Sequence, residues 1–456
     1  MKIIWILWAF FFVASCSWAS PNGSKKVTVT LFEWKFFSVA RECQEFLGPM
    51  GYGYVEISPA QEHIQGFQWW TSYQPVSYQL LSRLGSPQEF SQMIKTCHEA
   101  GVKIIADVVL NHMSNRLEGI GTGGTRFTKY NYPGLYQLND FHTCHDPITN
   151  YQSREQVQSC ELDSLADLDT GSKKVQEQIV AYLKRLAAYG VDGFRIDAAK
   201  HISSADLQAI KRQLPNSIYW VQEVIYGEGE PIHPKEFLSL GDVDEFRYAW
   251  DLKRIFLTEK LTYLKTFGEQ WGYLPQHYAR VFIDNWDTER NNSTLNYKNE
   301  ATYTLAYVFM LTYPYGEPNI FSGYEFEDIN SGPPNQGEVR QCYQDKWKCQ
   351  HRWPQIATLI HFHNEIKDAP VSWWWSNDNN AIAYARGNKG LVVINHELNT
   401  LYQTFQTPLV DGIYCDLQHG YLNKDNKCVG QSYLISQGRF TVQVSANDAV
   451  VLWPCN

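Results

Sequence analysis

Four short segments of this chain end on groups that can move protons. ADVVLNH (106–112) carries Asp107 and closes on Asn111 and His112, and FRIDAAKH (194–201) holds Arg195, Asp197, Lys200 and His201. WVQEV (220–224) presents Glu223, and FIDNWD (282–287) presents Asp284 and Asp287. Each begins as an apolar run of strand character and breaks into polar residues. One such acid reads as a paired or capped core group; several at the ends of similar strands suggest a site. Carboxyls sharing a cleft do not keep one pKa, because burial and like charge drive their values apart and separate a proton donor from an ionised nucleophile. That division of labour suits glycoside hydrolysis. One carboxyl protonates the leaving oxygen, and the other attacks the anomeric carbon from ~5–5.5 Å away in retaining enzymes.

Positioning these groups requires a regular frame. Eight β-type runs follow one another: 27–33, 53–59, 102–109, 192–198, 218–224, 243–249, 280–285 and 319–323. Amphipathic stretches at 87–101, 175–190 and 204–215 lie between them, with apolar residues three and four apart and a Gly or Pro at the end. Strand and helix in alternation predict an α/β fold, a (β/α)8 TIM barrel, in which catalytic groups sit at the C-terminal ends of the strands. The long spacing between the third and fourth runs, rich in Gly, Asn, Tyr and Thr, reads as an excursion domain after strand 3. Beyond about residue 365 only short strands and turns remain, which reads as a C-terminal β-sandwich. The expected division is a signal peptide at 1–20, the barrel at 21–111 and 171–365, the excursion at 112–170 and the sandwich at 366–456.

Composition narrows the partners. The net charge is −9 with no basic tract, which argues against nucleic acid. Aromatic residues make up 15 %, with 16 Trp, a surplus that suits a cleft for sugar rings. The opening MKIIWILWAFFFVASCSWAS has one Lys, an apolar run and small residues, which fits a secretory signal and is too short to span a bilayer as a helix. Val13-Ala14-Ser15-Cys16 supports an alternative, a bacterial lipoprotein signal with a lipid anchor at Cys16. Either way the protein is expected outside the cytoplasm, secreted or held at the outer surface. Its later cysteines then read as disulfides. Spacing suggests Cys144 with Cys160, Cys342 with Cys349 and Cys415 with Cys428; Cys43 and Cys97 could close a longer loop, leaving Cys455 over. Nothing calls for an oligomer, so a monomer is expected.

DVVLNH, GFRIDAAKH, QEVI and FIDNWD, in this order, resemble the four signature regions of the α-amylase family of retaining glycoside hydrolases. QWWTSYQPVSYQL (68–80), LTYPYG (311–316), HRWPQI (351–356) and the cysteine placement resemble its animal-type members. The resemblance implies an exported α-amylase acting on internal α-1,4 bonds of starch, glycogen and maltodextrins. Asp197 is then the nucleophile, Glu223 the acid/base and Asp287 the transition-state stabiliser, with Arg195 keeping Asp197 ionised. It further implies an aromatic donor-side platform of Trp69, Trp70 and Tyr73, and sugar contacts from Gln74 and His112. Lys200 and His201 would serve the leaving-group side, and Tyr151, in the excursion, is expected to reach the cleft. It also implies calcium, held by the side chains of Asn111 and Asp167 and by backbone carbonyls at Gln158 and His201. Gln158 replaces the usual arginine, which a carbonyl ligand survives.

The departures carry expectations of their own. Trp286 stands where the family has a sugar-binding histidine, and an indole donates one bond but shuttles no proton. A chloride site would use Arg195 and Asn285, but its second arginine aligns with Asn319, so chloride-independent activity is expected. TERNNSTLNYKN (288–299) replaces a glycine-rich loop, and Ser114 replaces a disulfide cysteine. Competing readings are an α-glucan transglycosylase, a maltodextrin-specialised hydrolase, and a glucan-binding protein whose turnover has lapsed through Trp286.

Overall fold

The structure is a computed structural model that describes residues 27–366, 368–423 and 425–455. The expected signal peptide and Cys16 lie outside the described residues. Eight parallel strands close into a barrel: β1 (Thr28–Leu31), β2 (Tyr54–Ile57), β3 (Lys103–Val109), β4 (Gly193–Asp197), β5 (Tyr219–Gln222), β6 (Asp242–Asp244), β7 (Ala279–Val281) and β8 (Glu317–Ser322). β8 pairs with β1 to complete the ring. The α/β barrel expected from the alternation is therefore present.

Local signals set the helices. Ser86 and Glu89 form a reciprocal capping box at the start of Pro87–Glu99. Ser172 caps Lys173–Tyr189, which stops at Gly190 with φ 105°, a conformation open to glycine. That helix lays Val175, Ile179, Leu183 and Leu186 on the core. One run was misread. Residues 243–249 were expected as strand, but β6 ends at Asp244 and a helix runs Phe246–Thr258. Val243, Phe246 and Ala249 recur at helical spacing, and the Glu245 side chain accepts from Arg247 N, starting the helix there.

The barrel is polar inside. Arg280 of β7 bonds both oxygens of Asp244, at 2.6 and 2.9 Å, and also bonds Glu56. After β3 the chain makes a hairpin, Glu118–Ile120 with Arg126–Thr128, and a helix, Arg154–Ser159, before rejoining the barrel. Met113 N to Ala166 O and Leu168 N to Asn111 O, both 2.9 Å, tie the excursion's two ends together.

Past residue 370 the chain is all β. A six-stranded antiparallel sheet faces a two-stranded one, Leu401–Gln406 with Arg439–Val444, across a core that includes Leu391, Val393, Phe405 and Phe440. Arg386 stitches this domain to the barrel side. It donates to Ala369 O at 2.8 Å, to Ile366 O at 2.9 Å and to Thr312 O, while Tyr384 bonds the Thr312 hydroxyl. Four disulfides join Cys43–Cys97, Cys144–Cys160, Cys342–Cys349 and Cys415–Cys428, and Cys455 is free. Among the described residues no helix is long and apolar enough to cross a membrane.

Candidate active site

Strand register assembles the centre. Asp107 of β3 lies level with Arg195 of β4, and Val109 with Asp197. Ile196 is level with Gln222 of β5, so Glu223 follows beside Asp197. Arg195 and Asp197, two apart, share the inward face, while Phe194 and Ile196 pack outward with no exposed surface. The chain then turns sharply at Ala198, in the left-handed region at φ 49°, and its N–H donates to Glu223 Oε2 at 2.9 Å. Asp287 arrives differently. Asn285 caps the short helix Trp286–Arg290, its side-chain oxygen accepting from Asp287 N at 3.0 Å and Thr288 N at 2.8 Å. The chain thus presents Trp286 and Asp287 from one capped turn.

One cation serves this acidic set. Arg195 Nη1 donates to Asp107, at 2.9 and 3.0 Å, and to Asp197 Oδ1 at 2.8 Å, while Nη2 lies 2.8 Å from Glu223 Oε1. The arginine does not hold Asp197 in the ordinary carboxylate range, as the sequence reading expected. Burial pushes Asp197 up to about 7 against the pull of Arg195, with the Glu223 charge adding to burial. Burial and the Glu223 charge likewise push Asp287 up to about 7. Burial also raises Asp107, again opposed by Arg195. Burial and like charge thus oppose the simultaneous ionisation of Asp107, Asp197 and Asp287.

The cleft above them encloses about 630 Å³ and is lined by Trp69, Trp70, Tyr73, Gln74, His112, Tyr151, Asp197, Lys200, His201, Glu223, Trp286 and Asp287. Arg195 lies beneath, almost fully buried. Trp69 and Trp70 stand on a single turn, Trp69–Tyr73, whose entry is held by Arg83 donating to Gln68 O at 3.0 Å and Trp69 O at 2.9 Å. Their indole N–H groups donate to Ile329 O at 2.8 Å and Asn330 Oδ1 at 3.0 Å. Tyr73 is less a platform than a brace: it is buried, and its hydroxyl donates to Asp107 at 2.9 Å. Ser114 donates to Gln74 Oε1 at 2.8 Å and fixes that amide.

His112 has both ring nitrogens engaged, Nε2 at 3.0 Å from Tyr73 O and Nδ1 at 3.3 Å from Asn111 Nδ2. Burial lowers both His112 and His201 to about 4, so each ring is neutral near neutral pH. Lys200 pairs with Glu230 and lies 5.3 Å over the Tyr151 ring.

Two features escaped the sequence reading. Asp107 was seen at a strand end but given no role, and it is a main partner of Arg195. Glu230 was not singled out, although YGEGE directly after QEVI is an acidic, glycine-containing loop well placed to fold back over strand 5. Asp284, grouped with the strand-end acids, is instead turned away and bonded to the hydroxyls of Tyr303 and Tyr307.

The groups matched to calcium and chloride are also placed. Asp167 is buried, bonded to Asn111, and 2.6 Å from His142 Nδ1; burial raises it to about 6 against His142. Gln158 Nε2 donates to Ile202 O at 3.3 Å, and His201 Nδ1 to Val157 O at 3.0 Å, which ties the helix Arg154–Ser159 to the turn Ala199–His201. Asn319 Nδ2 donates to Thr30 at 3.0 Å, in a neutral link where a second arginine was sought.

Known proteins share this arrangement. The "Alpha amylase, catalytic domain" family matches residues 47–226, and "Alpha amylase, C-terminal all-beta domain" matches 374–454. An alpha-amylase of Streptomyces violaceus is 55 % identical over 435 residues, 95 % of this chain and 75 % of its own length. The alpha-amylase-related protein of Drosophila melanogaster is 39 % identical, covering 93 % of this chain and 92 % of its own. Among solved structures, alpha-amylase I of Eisenia fetida superposes with a TM-score of 0.90 at 34 % identity, over 95 % of this chain and 98 % of that one. A mutant of it in complex with maltohexaose gives 0.89, also at 34 % identity, over 94 % and 97 %. A barrel alone leaves the chemistry open, but a shared sequence over nearly the whole described length does not: the chain belongs to the alpha-amylase family of glycoside hydrolases.

Proposed function

We propose that this is an exported α-amylase that hydrolyses internal α-1,4-glucosidic bonds with retention of configuration. The observation that carries the reading is Arg195, bonded at once to Asp197 and Glu223 beneath a cleft walled by tryptophans. One guanidinium bonded to both carboxylates keeps them close, which favours the ~5–5.5 Å pair of retaining enzymes over the ~6.5–9.5 Å pair of inverting ones. The maltohexaose complex of the earthworm relative supports an α-glucan in this cleft.

In this reading a glucan chain enters across Trp69 and Trp70. Glu223, as the general acid, protonates the glycosidic oxygen. Asp197 attacks the anomeric carbon and forms a covalent glycosyl-enzyme as the leaving chain departs past Lys200, His201 and Tyr151. Glu223, now ionised, takes a proton from water, which attacks the same carbon and frees Asp197. Asp287 stabilises the positive charge that develops on the sugar ring, and Gln74 and His112 flank that ring. The first test is reducing-end release from soluble starch by the purified chain. Rapid release is expected, unchanged by added chloride; large, saturable activation by chloride would refute the chloride-independent part.

Residues of the excursion and of the adjoining barrel segments fit a calcium ion. Asn111, Asp167 and the carbonyls of 158 and 201 offer oxygen only, the donor type a hard cation takes, and Asp167 is a buried carboxylate whose charge a cation would favour. The ion would clamp the excursion to the barrel as a fixed structural charge. Chelation is expected to lower the melting temperature, by an amount set by the ~2.7 kcal/mol that a site at 100 times its Kd contributes. Asp167→Ala should melt at one temperature with or without calcium; a variant still stabilised by calcium would overturn this assignment.

A further inference from the structure

Trp286 stands in the cleft wall beside Asp287, and its surroundings give it a specific task. Its ring stacks on Phe32 at 5.2 Å and 5°, and on Tyr73 at 5.8 Å and 28°. Only 4 % of the residue is exposed. Arg195 Cζ sits 4.8 Å from the indole centroid. The Nη atoms of Arg195 are drawn toward three carboxylates, Asp197 on its own strand and Asp107 and Glu223 from the strands on either side, while its buried Nε has no protein acceptor among the described residues. Hydrogen bonds along its edges therefore leave the guanidinium unevenly held. A π face at this distance from Cζ restrains the movement they permit, and attracts the cation most strongly where water is excluded.

We propose that Trp286 is a positioning residue for the acid–base set: its indole face holds Arg195 in the plane that serves Asp197 and Glu223 together, with no bound anion required. The inference rests on the proposed function and deepens its chloride-independent part. The partners make the orientation specific. Phe32 fixes one face of the indole, and Tyr73, which also holds Asp107, flanks it, so moving the indole moves the ring that braces Asp107. The Asn285 cap fixes the turn that carries both Trp286 and Asp287. A histidine here could take up a proton and set a second positive charge beside Arg195; indole cannot.

The test compares Trp286→Leu with Trp286→Phe in the full chain, following kcat, KM and the pH–rate profile on starch. The profile reads the titratable and charged groups around this centre: Asp107, Asp197, Glu223 and the neutral phenol of Tyr73 facing Arg195, with Asp287 and Arg290 beyond. Loss of the π face in Trp286→Leu is expected to lower kcat by about ten- to thirtyfold. The limbs of its profile should shift, with KM held within about threefold. Trp286→Phe, which keeps a smaller π face, should recover most of kcat and the wild-type profile. If Trp286→Leu does not fold, Trp286→Met offers the same comparison with a flexible side chain and no π face. Unchanged kcat and profile with only KM raised would overturn the inference and leave Trp286 a wall of the cleft. A wild-type chain that hydrolyses no α-glucan would overturn the proposed function and this inference together.

Discussion

Asp197→Asn is expected to slow hydrolysis of α-1,4-glucan by about 10⁴-fold or more, the scale seen when a nucleophile is removed from a unit of catalytic groups. The amide is nearly isosteric and cannot form the glycosyl-enzyme. It also removes a charge from a place where burial disfavours one, as the rise of Asp197 to about 7 records. The variant should therefore melt no lower than wild type, which separates loss of chemistry from loss of fold. Asp287 should ionise more readily once the neighbouring Asp197 charge has gone. Reducing-end assays beside thermal melts check both halves. Activity within tenfold of wild type would exclude Asp197 as the nucleophile.

The second large effect is on Arg195. Arg195→Met should destabilise the chain by about 3–5 kcal/mol at neutral pH, the cost of breaking a buried ionic cluster from one side, and should abolish turnover. Without the guanidinium, Asp107, Asp197 and Glu223 face one another with no cation at their centre. The folded-state pKa values of Asp107 and Asp197, already raised by burial, then rise further above the unfolded ones. For an acid shifted this way the folded state binds more protons, so stability falls as pH rises through the window between the two values and is regained as pH drops. The deficit of Arg195→Met should accordingly shrink between pH 7 and the unfolded carboxylate range near ~4. Denaturant titrations of both proteins across that window measure it. A deficit that grows on acidification would mean that Arg195 is not what offsets the buried acids.

Much of this centre was legible because barrel strands expose their chemistry in a fixed way. Asp197 and Glu223 interrupt apolar runs at strand ends, where the barrel turns such residues toward one face. Arg195 was legible for the same reason, as a cation inside an otherwise buried strand. Its effect was not, because sequence gives the partner but not the depth, and burial outweighs one guanidinium shared among several acids. Asp284 was misgrouped because side-chain direction alternates along a strand, and the sequence does not say where the alternation breaks near the end. Glu230 went unmarked since its contact with Lys200 depends on how a loop folds back. The 243–249 run shows the same limit at the level of secondary structure. An apolar spacing of three fits a helix, and the Glu245 cap decided it over the strand that its neighbours suggested.

The stitching by Arg386 bears on how the molecule comes apart. Its donors reach carbonyls at the end of the helix Glu300–Thr312, at the end of Leu359–Ile366 and in the connection at Ala369. Tearing the terminal sheet away would strip partners from all three and bare the faces of Phe309 and Tyr313 that Tyr384 covers. The two halves are thus built to melt as one cooperative unit, and a chain cut short before Val371 would lose the barrel's own integrity rather than shed a dispensable appendage.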